Sequence, residues 1–361
     1  MDLAAVRAEL PVLERTAYLN AGTFGPLPRR TAETVVRWER RALEEGRAGS
    51  AYFEEVMELR AELRRRIGAL IGAPEASVAV TSSTTEGCDL VLAGLGLGAE
   101  DEVVTSDVEH PGLLGALRCS PAGVRVAAIR DLPASEALAA LSAEITPRTK
   151  LIALSHVAWT TGAALPVAEL TGRGAPVLVD GAQSAGAVPV DVGRLGCEFF
   201  TVSGQKWLLG PDATGALFVR EDWVERLRLT APSYLSWQDP VELVPWPSAR
   251  RFESVWASPG SVAGLLDSLA YAAEAGEERF AAARETAERC RELLAERVEV
   301  VTEPGQATLV SFRPHGDATS VVAGLAEAGV VVRDLPGLGW VRASCGFWTS
   351  EEELERLAAG L

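Results

Sequence analysis

The chain carries 34 basic residues, of which only Lys150 and Lys206 are lysines. Arginine supplies surface charge equally well, but guanidinium stays protonated and is a poor nucleophile, whereas an amine can deprotonate and form a Schiff base with a carbonyl. A retained lysine is therefore a candidate for covalent chemistry. Lys206 closes the polar run Ser203-Gly204-Gln205-Lys206, directly after an apolar run at 199–202. Asp180 likewise ends the apolar run 177–179, where a carboxylate is costly to bury unless it meets a cation. A salt-bridged or capping aspartate is the plain reading, and a protonated pyridine nitrogen is the chemical one. Gln183, one helical turn further on, belongs to the same polar segment.

Two further segments have dual readings. Ser83-Thr84-Thr85-Glu86-Gly87 leads into an apolar helical stretch. Its hydroxyls and the free N–H groups of a helix start suit a phosphate, and ordinary N-capping accounts for the same residue types. His110, set between Glu109 and Pro111, is either a packed histidine or an imidazole that stacks on an aromatic ring and passes protons.

These residues need a frame to bring them together. Short β-branched or apolar runs recur at 77–80, 102–105, 124–129, 151–154, 177–179 and 199–202, most of them separated by helical segments. Near-continuous apolar strands alternating with helices predict an α/β domain with a mostly parallel sheet covered by helices on both faces, whose ligands bind beyond the carboxyl ends of the strands. The polar segments above stand at those ends. A long amphipathic helical stretch is expected over 31–71, a further strand at 215–219 and a helical stretch over 261–297. Strands at 307–312, 330–332 and 340–343, with helices at 319–328 and from 350, predict a smaller C-terminal α+β domain. The expected division is an N-terminal segment 1–17 packing with the small domain, a large domain 18–245 and a small domain 246–361.

Composition narrows the function classes. With 361 residues, 48% apolar and 23% charged, the chain is an ordinary globular protein. A net charge of −16 repels phosphate backbones and anionic lipid, so neither nucleic acid nor membrane is an expected partner. Five scattered cysteines without C-x-x-C spacing suggest neither a disulfide framework nor a metal site, and a cytoplasmic location is expected.

Taken in order, Tyr18-Leu19-Asn20-Ala21-Gly22, Thr84-Thr85-Glu86-Gly87, Glu109-His110-Pro111, Val179-Asp180-Gly181-Ala182-Gln183, Ser203-Gly204-Gln205-Lys206-Trp207 and Val341-Arg342-Ala343-Ser344 resemble the class V aminotransferase group of fold type I pyridoxal-phosphate enzymes. That group includes cysteine desulfurases, isopenicillin N epimerase and C–S lyases. The resemblance implies pyridoxal 5'-phosphate as cofactor and a homodimer acting on a small amino acid. It implies Lys206 as the covalent attachment point, Asp180 against the pyridinium nitrogen, Gln183 at the ring hydroxyl and His110 stacked on the ring. Thr84, Thr85, Ser203 and Gln205 would hold the phosphate, and Arg342 the substrate carboxylate with Asn20 and Thr23 nearby.

Departures from the group's pattern bear on the reaction. The nucleophilic cysteine of desulfurases lies on the loop before the carboxylate arginine, and here the segment 333–340 has none. Cys345 is expected to be a small buried residue. The Gly-Thr that reaches the partner's phosphate is absent after Arg251-Phe252-Glu253. A β-eliminating C–S lyase on cysteine, cystine or an S-substituted cysteine is the expectation, with an aminotransferase, an epimerase or a desulfurase as the alternatives. Trp159, Trp237, Trp246, Trp256 and Trp340 are read chiefly as core or interface fillers, though several fall in segments expected to rim the pocket and suit a substrate with apolar or aromatic bulk beyond the amino acid head.

Overall fold

In the computed structural model, which describes residues 1–361, the apolar runs become seven strands of one sheet: β1 (Val78–Thr81), β2 (Glu102–Ser106), β3 (Gly123–Ala127), β4 (Thr149–Ser155), β5 (Val177–Asp180), β6 (Phe199–Ser203) and β7 (Gly215–Val219). Their spatial order is β1-β7-β6-β5-β4-β2-β3. β7 runs antiparallel to both of its neighbours, β1 and β6, and the other pairs are parallel. The strands are apolar throughout because both faces are covered, yet the period of two still sorts their side chains. Val177, Val179, Ile152, Leu154 and Phe200 enter one core, and Leu178, Leu151, Ala153 and Phe199 the other.

The helical stretch expected over 31–71 is two helices, α1 (Arg29–Glu45) and α2 (Ser50–Ile71). Gly46 and Gly49 between them both take positive φ, which ends one helix and turns the chain into the next. The stretch expected over 261–297 also divides, into Pro259–Glu274 and Glu278–Ala295, at Gly276 with φ +68°. In both places the break is only a few residues long, 46–49 and 275–277, and reads in sequence as part of one helical stretch. The segment 333–340, read as a loop, is a tight hairpin: Arg333–Leu335 pairs antiparallel with Trp340–Ser344, which also pairs with Leu309–Arg313 in a four-stranded sheet. Its core joins Val310, Phe312, Val341 and Ala343 to Leu294, Leu325 and Leu357 of the covering helices.

Two connections fix this sheet to the larger one. Residues 17–25 form a strap: Ala17–Tyr18 pairs with Val330–Val331, Ser344 donates to the Leu19 carbonyl, and Gly25 donates to the Gln205 carbonyl beside Lys206. A Cβ on Gly25 would lie 2.1 Å from the Lys206 carbonyl oxygen and one on Gly22 2.7 Å from Arg342 Nη2, so the strap reaches the cleft only as glycine at these positions. Residues 159–164, just beyond β4, form the second seam. Their backbone accepts from Thr302 Oγ1 and Ser311 Oγ and bonds to Ala307, while Ala164 N–H donates to Gln306.

A buried ion network anchors the segment that follows the seven-stranded sheet. Glu253, 1% exposed, accepts from Arg60 Nε at 2.9 Å and Nη2 at 2.6 Å, from Arg64 Nη1 at 2.9 Å and from the Val80 N–H at 3.2 Å. Removing the carboxylate strands two buried guanidinium groups, so Glu253→Ala is expected to lower stability by about 3–5 kcal/mol, read as a fall in denaturant midpoint. An unchanged midpoint would show the network to be dispensable.

Candidate active site

The carboxyl ends of β4, β5 and β6 converge on a narrow cleft lined by His110, Ser155, Val157, Trp159, Asp180, Ala182, Gln183 and Lys206. A wider groove between residues 129–134 and 299–303 carries none of these groups. The cleft therefore gathers four of the expected site residues from separate elements.

Asp180 is buried at the tip of β5, and its Oδ1 accepts from the Ala182 N–H at 2.9 Å. Burial raises its pKa, while the charge of Lys206 and that backbone bond work in the other direction. Lys206 shows the complementary effect. Burial lowers its ammonium to about 8, with Arg342 and Arg333 adding to the fall and Asp180 opposing it. An amine held near 8 is deprotonated often enough at neutral pH to serve as nucleophile or base. His110 is lowered to about 4 by burial and by the cations Lys206, Arg333 and Arg342, so it is neutral. Its Nδ1 accepts from the Gly112 N–H at 3.0 Å as the cap of helix Pro111–Cys119, which places the ring proton on Nε2.

The expected phosphate residues come from two elements. Helix Thr84–Leu95 starts beside β7: a Cβ on Gly215 would stand 3.0 Å from the Ser83 nitrogen. Thr84 is buried in this first turn, Thr85 is exposed, and the position of a Cβ on Gly112 lies 2.5 Å from Thr85 Oγ1, next to His110. Ser203 Oγ donates to Gln205 Oε1 at 2.8 Å. Gln183 is held at both ends of its amide: Nε2 donates to the Gly22 carbonyl at 2.8 Å, and Oε1 accepts from Trp207 Nε1 at 2.9 Å.

Arg342 is fully buried in the central strand of the small sheet, yet no carboxylate pairs with it. Nη1 donates to the Trp159 carbonyl at 2.9 Å, Nη2 to Thr23 Oγ1 at 3.4 Å, and Nε has no partner. Burial and the neighbouring Arg333 lower its pKa to about 9. Thr23 Oγ1 in turn donates to Asn20 Oδ1 at 2.8 Å. The structure thus joins Asn20, Thr23 and Arg342 in one hydrogen-bonded group at the cleft.

Three residues of the site had no role assigned from sequence. Arg333 sits directly across the hairpin from Arg342 and donates to the same Thr23 hydroxyl at 3.3 Å. In sequence the segment reads as a loop, which conceals that register. Glu109 is buried between strand ends, accepting from Ser106 Oγ at 2.5 Å and from the Ser155 N–H and Oγ at 2.8 and 2.5 Å. Burial outweighs these bonds and raises its pKa to about 7. Trp159, counted among the fillers, packs edge-on against His110 with ring centroids 5.1 Å apart. Cys345 is a fully buried free thiol, as expected.

The family model for class-V aminotransferases matches residues 19–357, and the chain belongs to that family. Among its relatives, isopenicillin N epimerase of Streptomyces clavuligerus is 33% identical over 95% of this chain and 93% of its own. Cysteine desulfurase of Klebsiella pneumoniae (strain 342) is 30% identical over 99% of this chain and 96% of its own. Among solved structures, a mutant of C-DES with glycine covalently linked to its PLP cofactor superposes with a TM-score of 0.93 at 30% identity, covering 98% of both chains. The complex of the cystine C–S lyase C-DES with cysteine persulfide gives 0.92 at 29% identity over 97% of this chain and 98% of that one. The α/β architecture with its mostly parallel central sheet is thus that of a known PLP enzyme.

The residues present fit pyridoxal phosphate on their own chemistry. They offer an amine of lowered pKa, a buried carboxylate with no cation hydrogen-bonded to it, a neutral imidazole and a helix start flanked by hydroxyls.

The Glu109 carboxyl gives a pH test of this environment. Its native pKa lies above the ordinary 4.5, so the folded state holds the proton more tightly than the unfolded chain between about 4.5 and about 7. Relative to Glu109→Gln, the wild-type protein is expected to lose stability as pH rises through that window, measured by chemical denaturation at several pH values. Parallel stability profiles would refute the raised pKa.

Proposed function

We propose that the protein is a PLP-dependent C–S lyase that cleaves the Cβ–S bond of cysteine, cystine or an S-substituted cysteine by β-elimination, and that its preferred substrates carry a second anionic group. The observation that carries this reading is the hairpin 333–344, which presents Arg333 beside Arg342 with no carboxylate paired to either and carries no cysteine between them. A desulfurase that forms a persulfide on its own chain needs a thiolate within reach of the substrate sulfur. Two unpaired guanidinium groups suit a substrate with a carboxylate at each end, as in cystine.

When bound, the cofactor supplies an electron sink for the charge left at Cα, with Asp180 opposite its ring nitrogen. In this reading Lys206 would hold it covalently and His110 would pack against it. Thr84, Thr85, Ser203 and Gln205 would hold the phosphate, and Gln183 would contact the ring hydroxyl. Arg342 would bind the α-carboxylate, with Asn20 and Thr23 fixing the guanidinium. The free amine of Lys206 would remove the Cα proton; the Cβ–S bond would break with its electron pair leaving on sulfur, and hydrolysis of the three-carbon remainder would give pyruvate and ammonia. A homodimer in the cytoplasm belongs to the same reading. Exposed Phe24, Leu27, Phe53 and Tyr234 favour association, and five free cysteines favour a reducing compartment.

The similarity to isopenicillin N epimerase favours a second reading, in which the same Cα proton is returned from the opposite side. Product analysis separates the two. With cystine and S-substituted cysteines, the holoenzyme is expected to release pyruvate and ammonia in equal amounts, and Lys206→Ala to lose at least about a thousandfold in rate. Alanine, an inverted amino acid, or full turnover by Lys206→Ala would overturn the lyase mechanism.

A further inference from the structure

We infer that Trp159 is a specificity-determining positioning residue, acting through Arg333 to set the preference for substrates with a second anionic group; the inference rests on the two-arginine reading above. Trp159 is 8% exposed and lines the cleft with Lys206 and Asp180. Three groups of the site meet it, each at a different part of the residue. Its ring meets His110 in a T-shaped contact at 80°. Its ring face lies 5.8 Å from the Arg333 guanidinium carbon, within the range of a cation–π contact. Its carbonyl accepts from Arg342 Nη1 at 2.9 Å.

The two arginines are consequently held in different ways. Arg342 is buried and bound to a main-chain oxygen, which no substitution at 159 removes. Arg333 is half-buried, and its other bonds are to the Asp334 carbonyl at 3.1 Å and to Thr23 Oγ1 at 3.3 Å. A long side chain held by two neutral acceptors keeps much of its rotamer freedom, and an aromatic face beneath it selects the orientation in which it meets an anion. The indole is therefore what turns Arg333 from a mobile surface cation into a fixed second anion contact, while leaving the α-carboxylate clamp intact.

The test compares S-carboxymethyl-L-cysteine with S-methyl-L-cysteine, which differ by one carboxylate, by titrating the cofactor absorbance of the holoenzyme to obtain a dissociation constant for each. The discrimination ratio is expected to favour the carboxymethyl compound by about tenfold in the wild type. It is expected to fall by about fivefold in Trp159→Leu and in Arg333→Gln, with no further fall in the double variant. Trp159→Phe keeps a ring face and is expected to restore part of the ratio, which a merely structural role would not do; it also serves if the Leu variant fails to fold. A ratio that survives Trp159→Leu but collapses in Arg333→Gln would overturn the role of Trp159 and leave the two-anion reading standing. No preference in the wild type would instead sink the two-anion reading itself.

Discussion

Like charge gathered in a nearly dry cleft is the constraint on which the rest of this structure depends. Arg333 and Arg342 lower Lys206, Arg333 lowers Arg342, all three cations lower His110, and burial penalises the charged forms of Lys206 and Arg342 most. Such an arrangement is unfavourable in an empty cleft and becomes favourable when anions arrive. It persists because rigid surroundings leave the cations no alternative partner. The sheet tips hold Asp180, the strap 17–25 inserts Thr23, and the seam at 159–164 supplies a carbonyl where a carboxylate would otherwise be expected. The two apolar cores and the Glu253 network fix those elements at positions that charge repulsion alone would disperse.

Much of this is legible in the sequence because the sheet and the chemistry share one logic. Apolar runs mark the strands, and polar residues just past them mark the site, so Asp180, Ser203 and Lys206 are placed by pattern alone. His110 and Arg342 gain their roles from the resemblance to a family. The hidden part depended on register across the hairpin. The neighbourhood of Arg333 and Arg342 arises from a four-residue turn at 336–339, which reads in sequence as part of a longer loop. The two divided helices were hidden for a different reason, since a single glycine can sit inside a helix and only its positive φ shows that it ends one here. Trp159 reads as a filler because bulky apolar residues fill cores far more often than they orient charge, and its location beyond β4 becomes meaningful only with three neighbours in place.

Membership of the class-V aminotransferase family leaves the reaction open, because relatives named isopenicillin N epimerase and cysteine desulfurase both match over nearly the whole chain. The motifs by which the chain resembles its family stand around Lys206 and Asp180. On the side of the four-stranded sheet, the hairpin carries no thiol and presents two guanidinium groups. That division is physical. Groups around a cofactor must satisfy one fixed shape, whereas the groups beyond Cα meet whatever side chain the substrate brings.

The bond from Arg342 to the Trp159 carbonyl has an evolutionary consequence. A carbonyl survives every amino-acid exchange, so Trp159 keeps its main-chain contact with Arg342 whatever side chain it carries. Under the proposed carboxylate role of Arg342, position 159 is then free to vary, and with it the reach and charge of molecules accepted at the far end, without a passage through variants that fail to bind amino acids at all. Anchoring by backbone makes one residue at once a fixture for the common part of a ligand and an adjustable surface for the variable part. A lineage built this way can move between substrates by single steps.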